Sequence, residues 1–271
     1  MSSEWSTHDI EMTADRVVKR FRSCSDGEHR REWQALTLLD RYAPGIAPAP
    51  MDADLTADPP VIIMTRLPGQ PLRGGSVTPR QIEAMARTLA RMFDAIPVPV
   101  ANQLPERRWS QRPAETAIRS AVRGFPARGP ATIRGALAEG MRWLDTAPFG
   151  SSSSPAVPPV FGHADGNLAN FLCAGDRVRI VDFEDSGRSD RAYELADVTE
   201  HVASWVDTDF DVSLFLSHFS LGPAEQRRLI ECRRLIALLW LLALAAEDPE
   251  HPRNPPGTAA RQAERVLSLL G

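Results

Sequence analysis

Lysine is almost missing from this chain: of 31 basic residues, 30 are arginine and one, Lys19, is lysine. A position that keeps a compact ammonium where arginine is used everywhere else is a candidate for chemistry that a planar guanidinium does not serve. Cysteine is also scarce. Cys24, Cys173 and Cys232 are odd in number and form no C-x-x-C pair, which excludes a disulfide framework or a cysteine zinc site and suits a reducing compartment. There is no basic excess: the formal net charge is −4 and the pI about 5.9, which argues against nucleic acid as a partner. No apolar run is long enough to span a membrane. The longest, Leu235 to Ala246, has 12 residues and reads as a buried helix. The opening residues MSSEWSTHDIEM lack the basic-then-apolar order of a secretion signal. The expectation is a soluble cytoplasmic protein, with oligomeric state left open.

Hydrophobic residues at 43% and charged residues at 24% are ordinary for a globular chain with a full core. Residues 8–21 read as two short strands around a turn at Ala14-Asp15-Arg16. Residues 27–40 form an amphipathic helix with Glu32, Leu36 and Leu39 on one stripe. A Pro/Asp-rich connection over 44–60 leads to an apolar strand, Val61 to Met64, which Arg66-Leu67-Pro68-Gly69 breaks. Thr78 and Pro79 cap a helix running to about Ile96, and further helices cover roughly 114–124, 131–146, 191–206, 223–247 and 258–270. A Gly/Ser/Pro loop occupies 150–159. The predicted fold class is α+β: a small β-rich lobe over 1–68, a hinge near 65–69, and a larger helical lobe over 69–271 that holds one polar hairpin.

That hairpin is the informative part. Phe171 to Cys173 and Val178 to Phe183 are apolar strands around Ala174-Gly175-Asp176-Arg177. Asn170 and Asp182 lie six residues either side of Asp176 and so are expected to face each other across the open end, with Asp165 five residues before Asn170 in the loop 163–169. Asparagine and aspartate flank turns constantly, but Asp182 ends an apolar run, where an unpaired carboxylate is costly. An amide oxygen and a carboxylate suit Mg²⁺, which binds substrate phosphates. A further carboxylate accepts the proton of an attacking hydroxyl. Phosphoryl transfer calls for this set together with a cation on the phosphates.

His163-Ala164-Asp165-Gly166-Asn167-Leu168-Ala169-Asn170 resembles the HGDxxxxN motif of the aminoglycoside phosphotransferase and choline kinase-like family, which has a bilobal protein kinase-like fold. Val181-Asp182-Phe183-Glu184 resembles its I-D-[WF]-E element, and 189–196 its GDPxxDLA stretch. The resemblance implies Asp165 as catalytic base, Asn170 and Asp182 as Mg²⁺ ligands, and His163 as a residue that steadies the loop. Arg16 to Phe21 is similar to the family's third strand, so Lys19 is implied to contact the α/β-phosphates of ATP or GTP, with Glu32 its expected partner and Glu28 the alternative on the same face. Residues 62–69 are similar to the strand and hinge that hold the adenine, which implies Thr65 and Leu67 as nucleotide contacts. The implied reaction moves a γ-phosphate to a hydroxyl of a small polar acceptor, an aminoglycoside or related antibiotic first. A kinase of choline, homoserine or a sugar is the rival enzyme, and a catalytically inactive binding protein is the rival of another class.

Two departures from the family pattern carry expectations. Ala164 replaces the motif's glycine, and alanine fits if the backbone keeps a negative φ. No glycine occurs before Gly27, so the family's first strand and phosphate-covering loop are expected to be truncated or replaced by 2–7, whose hydroxyls would cover phosphates. Asp207, Asp209 and Asp211 resemble a calcium loop only superficially, and at a helix boundary they would instead help to bind a cationic acceptor. Glu247, Asp248 and Glu250 read as a solvated helix end, and the stripe around Trp240 reads as core.

Overall fold

The computed structural model of the chain describes residues 8–22, 26–125, 130–146, 157–248 and 250–271. The 2–7 segment and most of the 150–159 loop therefore lie outside the described residues. The first part is a four-stranded antiparallel sheet with one helix. Strands β1 (Asp9–Met12) and β2 (Arg16–Arg20) form a hairpin, helix α1 (Glu28–Tyr42) follows, and β3 (Pro50–Asp54) and β4 (Val61–Thr65) complete the order β1-β2-β4-β3. Lys19 stands between Ile10 of β1 and Ile62 of β4. Ile62 and Met64 alternate inward as period-two side chains do, joining Ala35, Leu36 and Leu39 of α1 in the core. Strand β3 was expected to be a connection. Its Asp52 and Asp54 break any apolar alternation, and its place at the sheet edge is set by pairing with β4.

The chain then crosses to the larger, helical part. Gly69 (φ 137°) allows this: a Cβ there would lie 2.9 Å from the carbonyl oxygen of Cys173. Strand β5 (Gln70–Pro71) pairs with residues 172–173. Helix α2 (Pro79–Ala95) opens on the reciprocal bonds of Thr78 and Gln81, a capping box. Helices α3 (Val98–Ala101), α4 (Gln111–Arg123) and α5 (Ala131–Thr146) follow, then β6 (Pro159–Gly162), the hairpin β7 (Phe171–Ala174) and β8 (Arg177–Ile180), and β9 (Gly187–Asp190), which pairs with β6. Four helices end the chain: α6 (Arg191–Glu200), α7 (Val212–Ser217), α8 (Pro223–Ala245) and α9 (Thr258–Leu270).

Helix α8 packs on α4, α5, α6 and α9, which explains its apolar run: Leu235, Leu238, Leu241 and Leu242 are buried. The stripe around Trp240 packs on the core as expected, but Trp240 and Leu239 are themselves only half-buried and also line a cavity. The helix expected over 191–206 ends at Glu200, and a 3-10 turn follows at Val202–Ser204. No helix among the described residues is long and apolar enough to cross a membrane. Asp207 pairs with Arg73, Asp209 accepts from the hydroxyl of Ser76, and Asp211 caps α7 at Leu214 N, so each of these three carboxylates already has a structural partner.

Candidate active site

Strand β2 carries Lys19 into the protein, where its Nζ meets three carboxylates: Glu32 Oε2 at 3.1 Å, Asp182 Oδ1 at 2.5 Å and Glu184 Oε2 at 2.7 Å. Oxygens of these three groups lie within 4.8 Å of one another. Burial works against the lysine's charge, but the fields of Glu32, Asp182 and Glu184 outweigh it and hold the ammonium above its ordinary pKa. Glu32 is fully buried and burial raises its pKa against the pull of Lys19. Burial acts the same way on Glu184, but the hydrogen bond from His8 and the charge of Lys19 prevail and bring it down to about 2; His8 Nε2 lies 2.8 Å from Glu184. Of the two glutamates of α1 on this face, Glu32 bonds Lys19, whereas Glu28 turns to Arg108 at 3.5 Å.

The loop from β6 to β7 holds Asp165. Its Oδ1 accepts from Asn167 N at 2.9 Å and its Oδ2 from Asn170 Nδ2 at 2.8 Å, so both oxygens are oriented. His163 ties the loop down: its Nδ1 lies 2.8 Å from the carbonyl oxygen of Asp165 and its Nε2 lies 2.9 Å from that of Val181. Gly166 is required by close approach, since a Cβ would fall 2.2 Å from the carbonyl oxygen of Asp197. The register of the hairpin differs from the symmetric count. Phe171 pairs with Ile180, and Val181 N donates to Asn170 O at 3.0 Å, so Asn170 faces Val181. Asp182 lies past the end of β8 with φ 68°, a left-handed turn that aspartate tolerates, and its side chain reaches Lys19.

The expectation for Ala164 is overturned. Its φ is +70°, the left-handed region that costs a side chain with a Cβ roughly 1–2 kcal/mol. Two bonds hold it there: Ala164 N donates to Glu194 Oε2 at 3.1 Å, and its carbonyl accepts from Arg107 Nη2 at 3.2 Å. Restoring glycine relieves the backbone but loosens the unfolded chain by about 0.4–1 kcal/mol. Ala164→Gly is therefore expected to leave stability unchanged or raise it by up to about 1 kcal/mol, read as the urea midpoint. A loss of more than about 1 kcal/mol would show that Cβ packing, not backbone strain, governs this position.

Arg107 is the centre of the network beneath the loop. Its side chain is 3% exposed and reaches Glu194 at 2.7 Å and Asp197 at 2.6 Å, with the guanidinium 4.6 Å from the centre of the Tyr193 ring. Its neighbour Arg108 pairs with Asp26 at 2.7 Å and Asp185 at 3.2 Å, linking the start of α1 to the larger part. His201 Nε2 lies 3.6 Å from Asp165 Oδ1. Its Nδ1 accepts from Ala203 N at 3.0 Å, and burial lowers its pKa. Asp165, His201, Trp109 and Trp240 are among the residues around a cavity of about 430 Å³. At the other end of the site, Thr65 is engaged by Ala49, which donates to its hydroxyl at 2.8 Å and accepts from its N–H at 2.9 Å. The half-buried Leu67 makes no backbone hydrogen bond among the described residues.

The structure thus brings Lys19, Glu32 and Asp182 into one cluster and joins Asn170 to Asp165, with Val181 and its neighbour Asp182 linking the two groups. Arg107, Trp109, His201 and the contact of Glu184 with Lys19 were not anticipated. No apolar periodicity around Arg107 signals that it is buried.

The profile of a phosphotransferase enzyme family matches residues 2–229. No curated protein matches the chain in sequence. Among solved structures, a choline/ethanolamine kinase family protein from Mesorhizobium loti shares 17% identity and a TM-score of 0.66, over 98% of this chain and 85% of that one. The GDP complex of aminoglycoside 2'-phosphotransferase-IIIa shares 18% identity and a TM-score of 0.67, over 99% and 89%. Spectinomycin phosphotransferase, in complex with ADP and spectinomycin, shares 11% identity and a TM-score of 0.65, over 100% and 90%. The small β-sheet and larger helical part described above are the fold these proteins share, and the chain belongs to the phosphotransferase enzyme family.

Proposed function

We propose that the protein transfers the γ-phosphate of ATP or GTP to a hydroxyl of a small molecule. The observation that carries the reading is the placement of the only lysine. It is buried on Glu32 and Asp182 in the structure that also aims Asp165 into a cavity of about 430 Å³, large enough for a small ligand. Asp165 would accept or orient the proton of the attacking hydroxyl. Lys19, fixed by Glu32, would hold phosphate oxygens, and the backbone around Thr65 and Leu67 would hold the base. The division at 65–69 then separates a nucleotide-binding lobe, 1–68, from an acceptor-binding lobe, 69–271.

The donor set suits Mg²⁺. Asn170 uses its Nδ2 on Asp165 and keeps its amide oxygen for a metal, and the Asp182 side chain is 42% exposed, so two hard oxygen ligands are on offer. When bound, the ion would neutralise charge on the transferred phosphates. The similarity to aminoglycoside and spectinomycin phosphotransferases makes an aminoglycoside or related antibiotic one acceptor class to assay. The similarity to choline kinases favours a second reading, a kinase of a primary metabolite.

Calorimetric titration with ATP and GTP, with and without Mg²⁺, tests the donor site. Binding that depends on Mg²⁺ and weakens about tenfold or more in Asp182→Ala is expected, since a tenfold change corresponds to about 1.4 kcal/mol of lost ligation. Failure of the wild-type protein to bind either triphosphate would refute the proposal.

A further inference from the structure

The acceptor cavity has an unusual wall for a site expected to take polycations. Ile236, Leu239, Trp240 and Ala243 lie at i, i+3, i+4 and i+7 of α8, so one continuous helical face is apolar. Three of the four are not sealed in the core: Leu239 and Trp240 are half-buried and Ala243 is exposed. A helical face turned to water would carry polar side chains, whereas this one is apolar where it borders the cavity that holds Asp165. Trp109 stands on the same cavity with φ 53°. Bulky residues rarely adopt that backbone, and it is held by a 2.7 Å hydrogen bond from the Tyr193 hydroxyl to the Trp109 carbonyl. Trp109 remains 45% exposed, and strained backbone of this kind concentrates at ligand clamps.

The charges of the cavity point the same way. Of its three carboxylates, Asp185 is paired with Arg108 and Asp197 with Arg107. Asp165 alone lacks an arginine partner; its contacts are Asn167, Asn170 and His201. Nδ1 of His201 is used as an acceptor, which leaves Nε2–H as the side facing Asp165 and the imidazole neutral. One uncompensated carboxylate serves one hydroxyl and leaves none for a set of ammonium groups, and ammoniums stripped of water against indole and leucine without partners are costly.

We infer that the acceptor is an alcohol whose hydroxyl sits on a neutral, largely apolar or aromatic body of modest size, seated between Trp109 and the Ile236–Ala243 face of α8, and not a polyamine sugar. Outward, past His201 and Trp240, the cavity meets a polar vestibule of about 1040 Å³ lined by Arg73, Asp207, Glu247 and Asp248, which suits a polar end of the same molecule. The inference rests on the phosphotransfer reading for its orientation, with the hydroxyl toward Asp165, but its affinity order does not depend on turnover.

The test uses three probes on the full-length protein with Mg²⁺ and the triphosphate that calorimetry selects. They are phenyl β-D-glucoside, methyl β-D-glucoside, which has the same hydroxyls without the ring, and 2-deoxystreptamine, a hydroxylated ring with two ammoniums. Binding is read as quenching of tryptophan fluorescence, and turnover as nucleoside diphosphate released. The phenyl glucoside is expected to bind about tenfold or more tightly than the methyl glucoside, from the buried area of one ring. The diamine is expected to bind more weakly than the phenyl glucoside. Trp240→Ala should erase that advantage by raising KM with little change in kcat. Ala243→Asp should reverse the order by improving the diamine and harming the phenyl glucoside. Tighter binding of the diamine to the wild type, or no quenching by the phenyl glucoside, overturns the inference. Absence of triphosphate binding defeats the phosphotransfer reading instead, so the two failures are distinct.

Discussion

Removing the carboxylate of Asp165 is expected to lower turnover by about 10²–10⁴-fold, the range general-base groups supply, while leaving the fold intact. The side chain is 33% exposed and replaces no core volume, so Asp165→Ala costs only its two local hydrogen bonds, from Asn167 N and Asn170 Nδ2. Bonds to a charged group are worth about 1.5–3 kcal/mol each, toward the lower end for a carboxylate one-third exposed, so the pair costs less than the roughly 5–15 kcal/mol that holds a domain together. Asp165→Asn is the more informative variant. Its oxygen still accepts from Asn167 N, but its NH₂ then meets the NH₂ of Asn170, two donors with no acceptor between them. Asn170 must turn its amide, and the oxygen proposed for Mg²⁺ turns with it. Both variants should therefore lose kcat, whereas triphosphate affinity should fall in Asp165→Asn and survive in Asp165→Ala. Steady-state kinetics with the best acceptor and calorimetry with the triphosphate separate these effects. Turnover within about threefold of wild type in Asp165→Ala would remove Asp165 from the reaction, because a general base contributes far more than that.

The parts of this molecule that follow local rules were legible in the sequence. Helices α2, α5 and α9 lie where capping and periodicity put them, because Thr78-Pro79 and the apolar stripes are signals contained within a few turns. Lys19 stands out by its rarity, its pairing with Glu32 is implied by the family resemblance, and the structure joins the two at 3.1 Å. What was not legible depends on distant partners or on backbone the side chains do not advertise. Strands β3, β6 and β9 are short and rich in Pro, Gly, Asp or Ser, and they are strands because a neighbour supplies hydrogen bonds. The left-handed turns at Ala164 and Asp182 are imposed by Glu194, Arg107 and Lys19, residues that lie 30, 57 and 163 positions away. An arginine-rich chain further hides the one deeply buried guanidinium among its described residues between many surface ones. Arg107 stands between Glu106 and Arg108, with no sustained apolar periodicity to mark it as buried.

Arg107 is where the largest loss of stability is expected. Its guanidinium is closed in by Glu194, Asp197, the Ala164 carbonyl and the Arg108 carbonyl. Burial opposes its charge, yet the two carboxylates hold it protonated. Replacing it with methionine fills most of the stem volume but strands the buried Glu194 and the largely buried Asp197, two carboxylates in each other's field. Breaking one side of a buried ionic network costs about 3–5 kcal/mol, against roughly 5–15 kcal/mol for a whole domain. Arg107→Met is therefore expected to lower the urea midpoint by about a fifth or more if the slope is unchanged. Adding Glu194→Gln and Asp197→Asn should recover part of the loss, because the penalty comes from uncompensated charge and not from the missing bonds. The triple variant separates stability from function. Without Arg107 the Ala164 carbonyl loses its donor, and the amide that Glu194→Gln introduces keeps at most the bond from Ala164 N, so Asp165, the next residue, is aimed less firmly. Stability should return further than kcat does. If Arg107→Met costs less than about 1 kcal/mol, the buried pair is solvated in the native state and the network does not hold the loop.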